Sequence, residues 1–201
     1  GQAPRLKAPP LRLSQTERRE RAVINALIGP VWLHRLIFLG VALVITFVRL
    51  LPLQTTAGHL PGPDLLLCLI FAWMVRRPEY LSAFMIGVVV LAEDILLMRP
   101  PGLWTALVLI GAEFIRARSA LTRELNFGVE WLLVAGVIFG VFFANRTILD
   151  MAFVNQPAFG FSLLQIIWSV TAYPVVVALS RYGLDLYKPA MGQIDSFGRR
   201  M

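Results

Sequence analysis

The chain is poor in the side chains that do chemistry. Its single cysteine, Cys68, lies in the apolar run LLLCLIFAWM, which rules out an internal disulfide and a paired-cysteine metal cluster. The only histidines are His34 and His59; they fall on opposite sides of the first apolar run and cannot share a metal. No H-E-x-x-H, G-x-S-x-G or P-loop pattern occurs. An enzyme needs convergent nucleophiles, acids or metal ligands, and no such set is visible, so no catalysis, metal or cofactor is expected. Charge is scarce as well. Charged residues make up 15% of the chain and hydrophobic ones 57%, whereas soluble domains carry about 25% charged residues. The little charge present is unbalanced, at +7 net. A nucleic-acid partner is nevertheless rejected, because the basic residues sit at the ends of apolar runs, where anionic headgroups and the insertion machinery use them. The expected partner of that charge is membrane lipid.

What the chain does have is six apolar stretches, at about 31–51, 63–76, 79–98, 102–116, 126–148 and 159–181. A membrane-crossing helix needs roughly 20 mostly apolar residues, and several stretches reach that only with their polar ends. The second is the weakest, with apolar residues only from Leu65 to Val75, and its full crossing is left open. All Lys and Arg but three fall on one side of the alternation: Arg5, Lys7, Arg12, Arg18, Arg19, Arg21 and Arg35 before or at the first stretch, Arg76 and Arg77 after the second, Arg116, Arg118 and Arg123 after the fourth, and Arg181, Lys188, Arg199 and Arg200 after the sixth. Only Arg49, Arg99 and Arg146 remain for the other side. Positive loops stay cytoplasmic, so the fold expected is an all-α integral membrane protein with six transmembrane helices and both ends inside. Residues 1–30 would be a basic cytoplasmic tail, 31–185 the membrane domain and 186–201 a cytoplasmic C-terminal tail. Ser14 and Glu17 have capping-box spacing for a short helix that either lies along the inner membrane surface or is solvated. The first apolar stretch is read as a retained helix rather than a cleaved signal peptide, because Arg49 and Pro52 intrude before the small residues Thr56 and Ala57. Trp32, Trp104, Trp131 and Tyr182 lie near span ends, as interfacial anchors do.

Polar groups inside the stretches are the candidate site residues. Glu93 and Asp94 are adjacent near the external end of the third; Glu113 and Glu130 lie near inner ends. A carboxylate at membrane depth costs roughly 2.5–3.5 kcal/mol and normally finds a partner, so a structural pair with Arg49, Arg99 or Arg146 is preferred to a proton or ligand site. Adjacent helical residues diverge by about 100°. Asp94 is therefore expected to face the bundle and meet an Arg or a polar helix end, and Glu93 to point toward the interface or a partner. Gly136 and Gly140 form a G-x-x-x-G that Ala144 extends, read as internal helix packing rather than a homodimer face. Ser162, Gln165 and Ser169 put a polar stripe on the sixth stretch that either lines a cavity or bonds to a neighbouring helix, with a kink expected at Pro174. Pro101 and Gly102 follow Arg99-Pro100 in a tight external turn.

The stretch RRPEYLSAFMIGVVVLAEDILLMRPPGLWTALVLI resembles the core signature of the rod shape-determining MreD family: a basic-Pro step at Arg77-Pro78, a helix glycine at Gly87, an acid at Asp94 and a turn at Pro101-Gly102-Leu103. The turn departs from the family's Pro-Leu-Gly-Leu. The ending TAYPVVVALSRYGLDL, with Tyr173-Pro174, is similar to the family's last helix, and the resemblance spans roughly residues 31–185. It implies a non-catalytic scaffold in the bacterial inner membrane, part of the cell-elongation, peptidoglycan-synthesising complex. It further implies direct binding of the bitopic protein MreC, with MreB, RodA and a class-B penicillin-binding transpeptidase nearby. The implied fold is similar to the substrate-binding subunits of energy-coupling-factor transporters. The alternative function is therefore a small-molecule, vitamin-like transport subunit with a pocket between helices.

Overall fold

The alternation of apolar runs and breakers becomes six helices in the computed structural model, which describes residues 30–51, 61–122 and 126–184. They are α1 (Pro30–Leu50), α2 (Leu65–Arg76), α3 (Ala83–Leu96), α4 (Leu103–Thr122), α5 (Phe127–Met151) and α6 (Phe159–Leu184). Among the described residues there is no strand. The Ser14–Glu17 capping box, His59, and the tails up to 29 and from 185 lie outside the described residues. Three helical segments, Val31–Leu50, Phe127–Met151 and Phe159–Tyr182, are long and apolar enough to cross a membrane.

Local chemistry sets the helix ends. Asp64 accepts a bond from the Leu67 N–H at 3.1 Å and caps α2; Ser82 does the same for Met85 at 3.2 Å and caps α3. Such caps satisfy N–H groups that the first helical turn leaves open. α3 stops with Met98 in the left-handed region (φ 54°), and the Arg99 N–H returns to the Asp94 carbonyl at 2.9 Å, a Schellman closure. α5 ends the same way, with Phe153 at φ 55° and the Val154 N–H on the Leu149 carbonyl at 3.0 Å. Gly102, at φ +94°, completes the expected turn at a conformation that side chains disfavour. α6 remains helical through Pro174.

Packing centres on α2. Every residue from Leu66 to Arg76 is buried, because α6 and α4 flank the helix and α1 and α5 also rest on it. The others form a row around it: α1 beside α3, α3 beside α4, α4 beside α5, α5 beside α6. The 12 residues of α2 rise about 18 Å, well short of the roughly 30 Å of a hydrocarbon core. Its sequence is apolar all round rather than on one stripe, the pattern of a helix enclosed by other helices. Its neighbours turn single faces toward it: Phe38 and Ala42 from α1, Ile86 and Val90 from α3, Val108, Ala112 and Ile115 from α4, Val134 and Ile138 from α5. Their opposite faces carry exposed Leu43, Phe84, Ile110, Leu132 and Leu179, an apolar exterior suited to lipid.

Among the described glycines the most crowded is Gly111, not Gly136 or Gly140. A Cβ on Gly111 would sit 3.0 Å from both Phe71 Cζ and Val137 Cγ1, so a side chain there requires those neighbours to give by a few tenths of an ångström. At Gly136 and Gly140 a Cβ would meet nothing within 4 Å, which corrects the expectation of internal packing: both lie on the open side of α5. Gly87 is in ordinary contact with Leu109, at 3.6 Å for the added Cβ. Trp32 and Tyr182 are exposed beside Arg35 and Arg181, and Trp131, partly exposed, donates its indole N–H to the Val170 carbonyl at 3.0 Å. Trp104 departs from the anchor expectation. It is buried with its ring 5.0 Å from Phe142, edge to face.

Candidate functional site

Three features stand out once the bundle is assembled: a charge cluster at each end and a groove on one side. At the end carrying the α3–α4 turn, Arg49 closes α1 and reaches between two acids. It donates to Glu93 Oε1 on α3, and to Asp64 Oδ2 at 3.3 Å. Both carboxylates are almost wholly enclosed, at 1% side-chain exposure. Asp64 also holds α6, since its N–H donates to Ser169 Oγ at 2.9 Å. The Ser169 hydroxyl in turn donates to the Gln165 carbonyl at 2.7 Å, and Cys68 donates its thiol to the Ser169 carbonyl at 3.2 Å. One guanidinium thus joins α1, α2 and α3, and Asp64 carries the connection to α6.

The adjacent acids do diverge, and Asp94 faces the bundle and meets a polar helix end as expected, but Glu93 departs from its expectation. Glu93, expected at the interface or against a partner, is the acid that meets an arginine. Its backbone position turns it toward α1, which ends at Arg49. Asp94 meets a helix end: its Oδ2 accepts from the Thr105 hydroxyl at 2.8 Å, the Thr105 N–H at 3.2 Å and the Gly102 N–H at 3.3 Å. It serves the start of α4 as an N-cap from another helix, where a carboxylate also complements the helix dipole. Its second oxygen, Oδ1, is buried without a hydrogen-bond partner among the described residues. Arg99 and Arg146 do not join the third-helix acids in ion pairs. Arg99 lies over the Trp104 ring at 5.5 Å; Arg146 donates to Ser162 Oγ at 3.1 Å and to the Pro157 carbonyl at 3.0 Å. The polar stripe on α6 therefore divides, Ser162 serving Arg146 and Ser169 serving Asp64.

At the opposite end, Arg76 pairs with Glu130 at 3.1 Å, and the Tyr173 hydroxyl donates to the same carboxylate oxygen at 3.1 Å. Side-chain exposure is 7% for Arg76 and 1% for Glu130. Arg76 was counted from sequence among loop charges, so its burial is a correction. α2 is too short to carry its last residue past the flanking helices, and the guanidinium finds its counter-ion on the first turn of α5. Nearby, Arg116 binds the Leu81 carbonyl and Arg35 the Tyr80 carbonyl at 3.1 Å, fastening the α2–α3 connection. His34 stacks on Tyr80 with 4.6 Å between rings. Glu113 pairs with Arg116 at 2.8 Å one turn along α4, on the surface, where such pairs contribute little.

The groove runs between α4 and α5. Gly136, Gly140 and Ala144 line its α5 side, Ile110 and Phe114 its α4 side, and it holds about 430 Å³ open to the side of the bundle. All of its lining residues are apolar. Among the described residues no group of three His, Cys, Asp or Glu is placed to hold a metal ion. The signals for Glu130 and Asp64 were present in sequence, each a lone acid beside an apolar helix, but their partners sit 54 and 15 residues away.

Together these features define a class: an all-helical protein with segments long and apolar enough to cross a membrane, whose Arg49 and Arg76 are paired with enclosed acids inside the bundle and whose lateral face carries an apolar groove. Compared with family models, curated proteins and solved structures, the chain gives no match.

Proposed function

We propose that this chain is a non-catalytic scaffold of the MreD type in a bacterial inner membrane, with six crossings and both ends cytoplasmic. In this reading it belongs to the cell-elongation, peptidoglycan-synthesising complex and binds a single-span partner, MreC, alongside MreB, RodA and a class-B penicillin-binding transpeptidase. The observation that carries the reading is the groove of α4 and α5. Small residues let helix backbones approach closely in lipid, and here they face outward with no internal partner for them. The pairing of Arg49 and Arg76 with buried acids supports a structural rather than a catalytic use of those charges.

Filling the groove tests the partner. Gly140→Leu has open space for its side chain, so thermal stability of the isolated protein should hold while co-purified MreC falls about tenfold, the equivalent of about 1.4 kcal/mol. Undiminished co-purification would sink the scaffold reading at this face. A change from dimer to monomer on light scattering would assign the groove to a second copy of the chain instead.

Topology is tested separately. Cysteines introduced at Thr56 and Asn155 should react with an impermeant thiol reagent in intact spheroplasts, while one at Ser119 should not. Labelling at Ser119 with protection at Thr56 would reverse the orientation.

The transport alternative has one observation in its favour, a polar recess at the end that this topology places outside.

A further inference from the structure

That recess lies where the α3–α4 turn, the last turns of α5 and the segment entering α6 come together. It holds about 470 Å³, within the roughly 300–1,000 Å³ range of small-ligand sites. Arg99, Trp104, Asn145, Asn155 and Ser162 line it, with Leu103 on the apolar side. The polar members are underused. Among the described residues the Arg99 guanidinium makes neither an ion pair nor a hydrogen bond; it lies over the Trp104 ring and meets the Glu93 carboxylate only through a longer-range attraction. The side-chain amides of Asn145 and Asn155 likewise have no partner there. The neighbouring acid, Asp150, is engaged by Arg146 at 3.7 Å and by the Gln156 amide at 2.8 Å. That leaves the recess with a guanidinium that makes no ion pair, two amides without a hydrogen-bond partner among the described residues, and an indole wall.

Those groups fit one chemistry. A guanidinium offers a planar fork of donors matched to phosphate oxygens. Amides supply both donors and acceptors for hydroxyl groups. Basic pockets between membrane helices take headgroup phosphates. We propose that this recess binds a phosphoglycerol group, presented by an anionic glycerophospholipid of the adjacent leaflet, with Arg99 on the phosphate and Asn145 and Asn155 on the glycerol hydroxyls. The inference needs the chain to lie in a bilayer and this end to reach headgroup depth. It does not need the scaffold reading, and it stands if the α4–α5 groove binds nothing.

The test uses the full chain in detergent. Phosphatidylglycerol is titrated and bound lipid is counted by native mass spectrometry, with melting curves recorded in parallel. Saturable binding of phosphatidylglycerol is expected, weakened about tenfold or more in Arg99→Gln and several-fold in Asn145→Ala, with both variants melting like the parent. Unchanged affinity in Arg99→Gln would overturn the proposal, as would binding that tracks any added lipid without saturating. Should Arg99→Gln unfold, Asn145→Ala and Asn155→Ala carry the same comparison, and unchanged affinity in both overturns it. Soluble sn-glycerol 3-phosphate separates the sources. Displacement of the lipid only at far higher concentration supports the lipid as occupant, and binding as tight as the lipid's would overturn the lipid as source.

Discussion

Glu130→Ala should cost this protein about 3–5 kcal/mol, the usual penalty for stranding one partner of a buried ion pair. The stranded group is Arg76, whose side chain is 7% exposed. Tyr173, fully buried, loses its acceptor in the same step. Thermal unfolding in detergent, followed by loss of the monodisperse peak on size exclusion, reads the effect directly. The compensating experiment is as informative. Replacing the set together, as Arg76→Met, Glu130→Leu and Tyr173→Phe, removes the three polar side chains that bond to one another here, and well-packed apolar substitutes for a buried pair are often neutral or stabilising. Recovery of most of the lost stability is expected. A Glu130→Ala protein that melts like the parent would mean that water or lipid headgroups reach Arg76 after all.

Arg49→Ala should do at least as much damage at the other end. One guanidinium serves two carboxylates, Glu93 and Asp64, so its loss leaves two enclosed acids facing each other with no cation between them. Again about 3–5 kcal/mol is expected, with an added effect on architecture, since α1 touches only α2 and α3 appreciably and Arg49 ties it to both. Adding Glu93→Gln to the Arg49→Ala protein removes one of the opposed charges and should restore part of the stability. By contrast Asp94→Ala removes a helix cap, worth about 0.5–2 kcal/mol. Should Asp94→Ala prove the more damaging, the assignment of the two acids to their partners is wrong.

The pairing of Glu93 with Arg49 is not what the residues alone suggested, and the reason is physical. A run of apolar residues between charges locates a helix along the chain but carries little information about how the helix is rotated. All six segments were visible because each is bounded by Pro, Gly or charge, and their ends agree with the structure to within a few residues except at the inner end of α4. The choice between Glu93 and Asp94 depends on a rotation of about 100°, which only the neighbouring helices set. The same limit applies to the glycines. The G-x-x-x-G at Gly136 and Gly140 was legible as a motif, but which side of α5 would be covered was not. Gly111, the most crowded of the described glycines, stands in no motif at all. One signal was present and underused. α2 is apolar on every side, and a helix of that kind belongs at the centre of a bundle.

The enclosure of α2 also has a consequence for how the chain is made. A segment of 12 residues, closed by Asp64 and Arg76, offers the insertion machinery too short a greasy stretch to hold in the bilayer by itself. Asp64 is paired with Arg49, already synthesised, whereas Arg76 needs Glu130 and the Asp64 N–H needs Ser169, both of which emerge from the ribosome later. α2 thus becomes secure only once Ser169, 105 positions downstream of Asp64, has been made. Early in synthesis the bundle holds an unfinished centre, and α6 closes it.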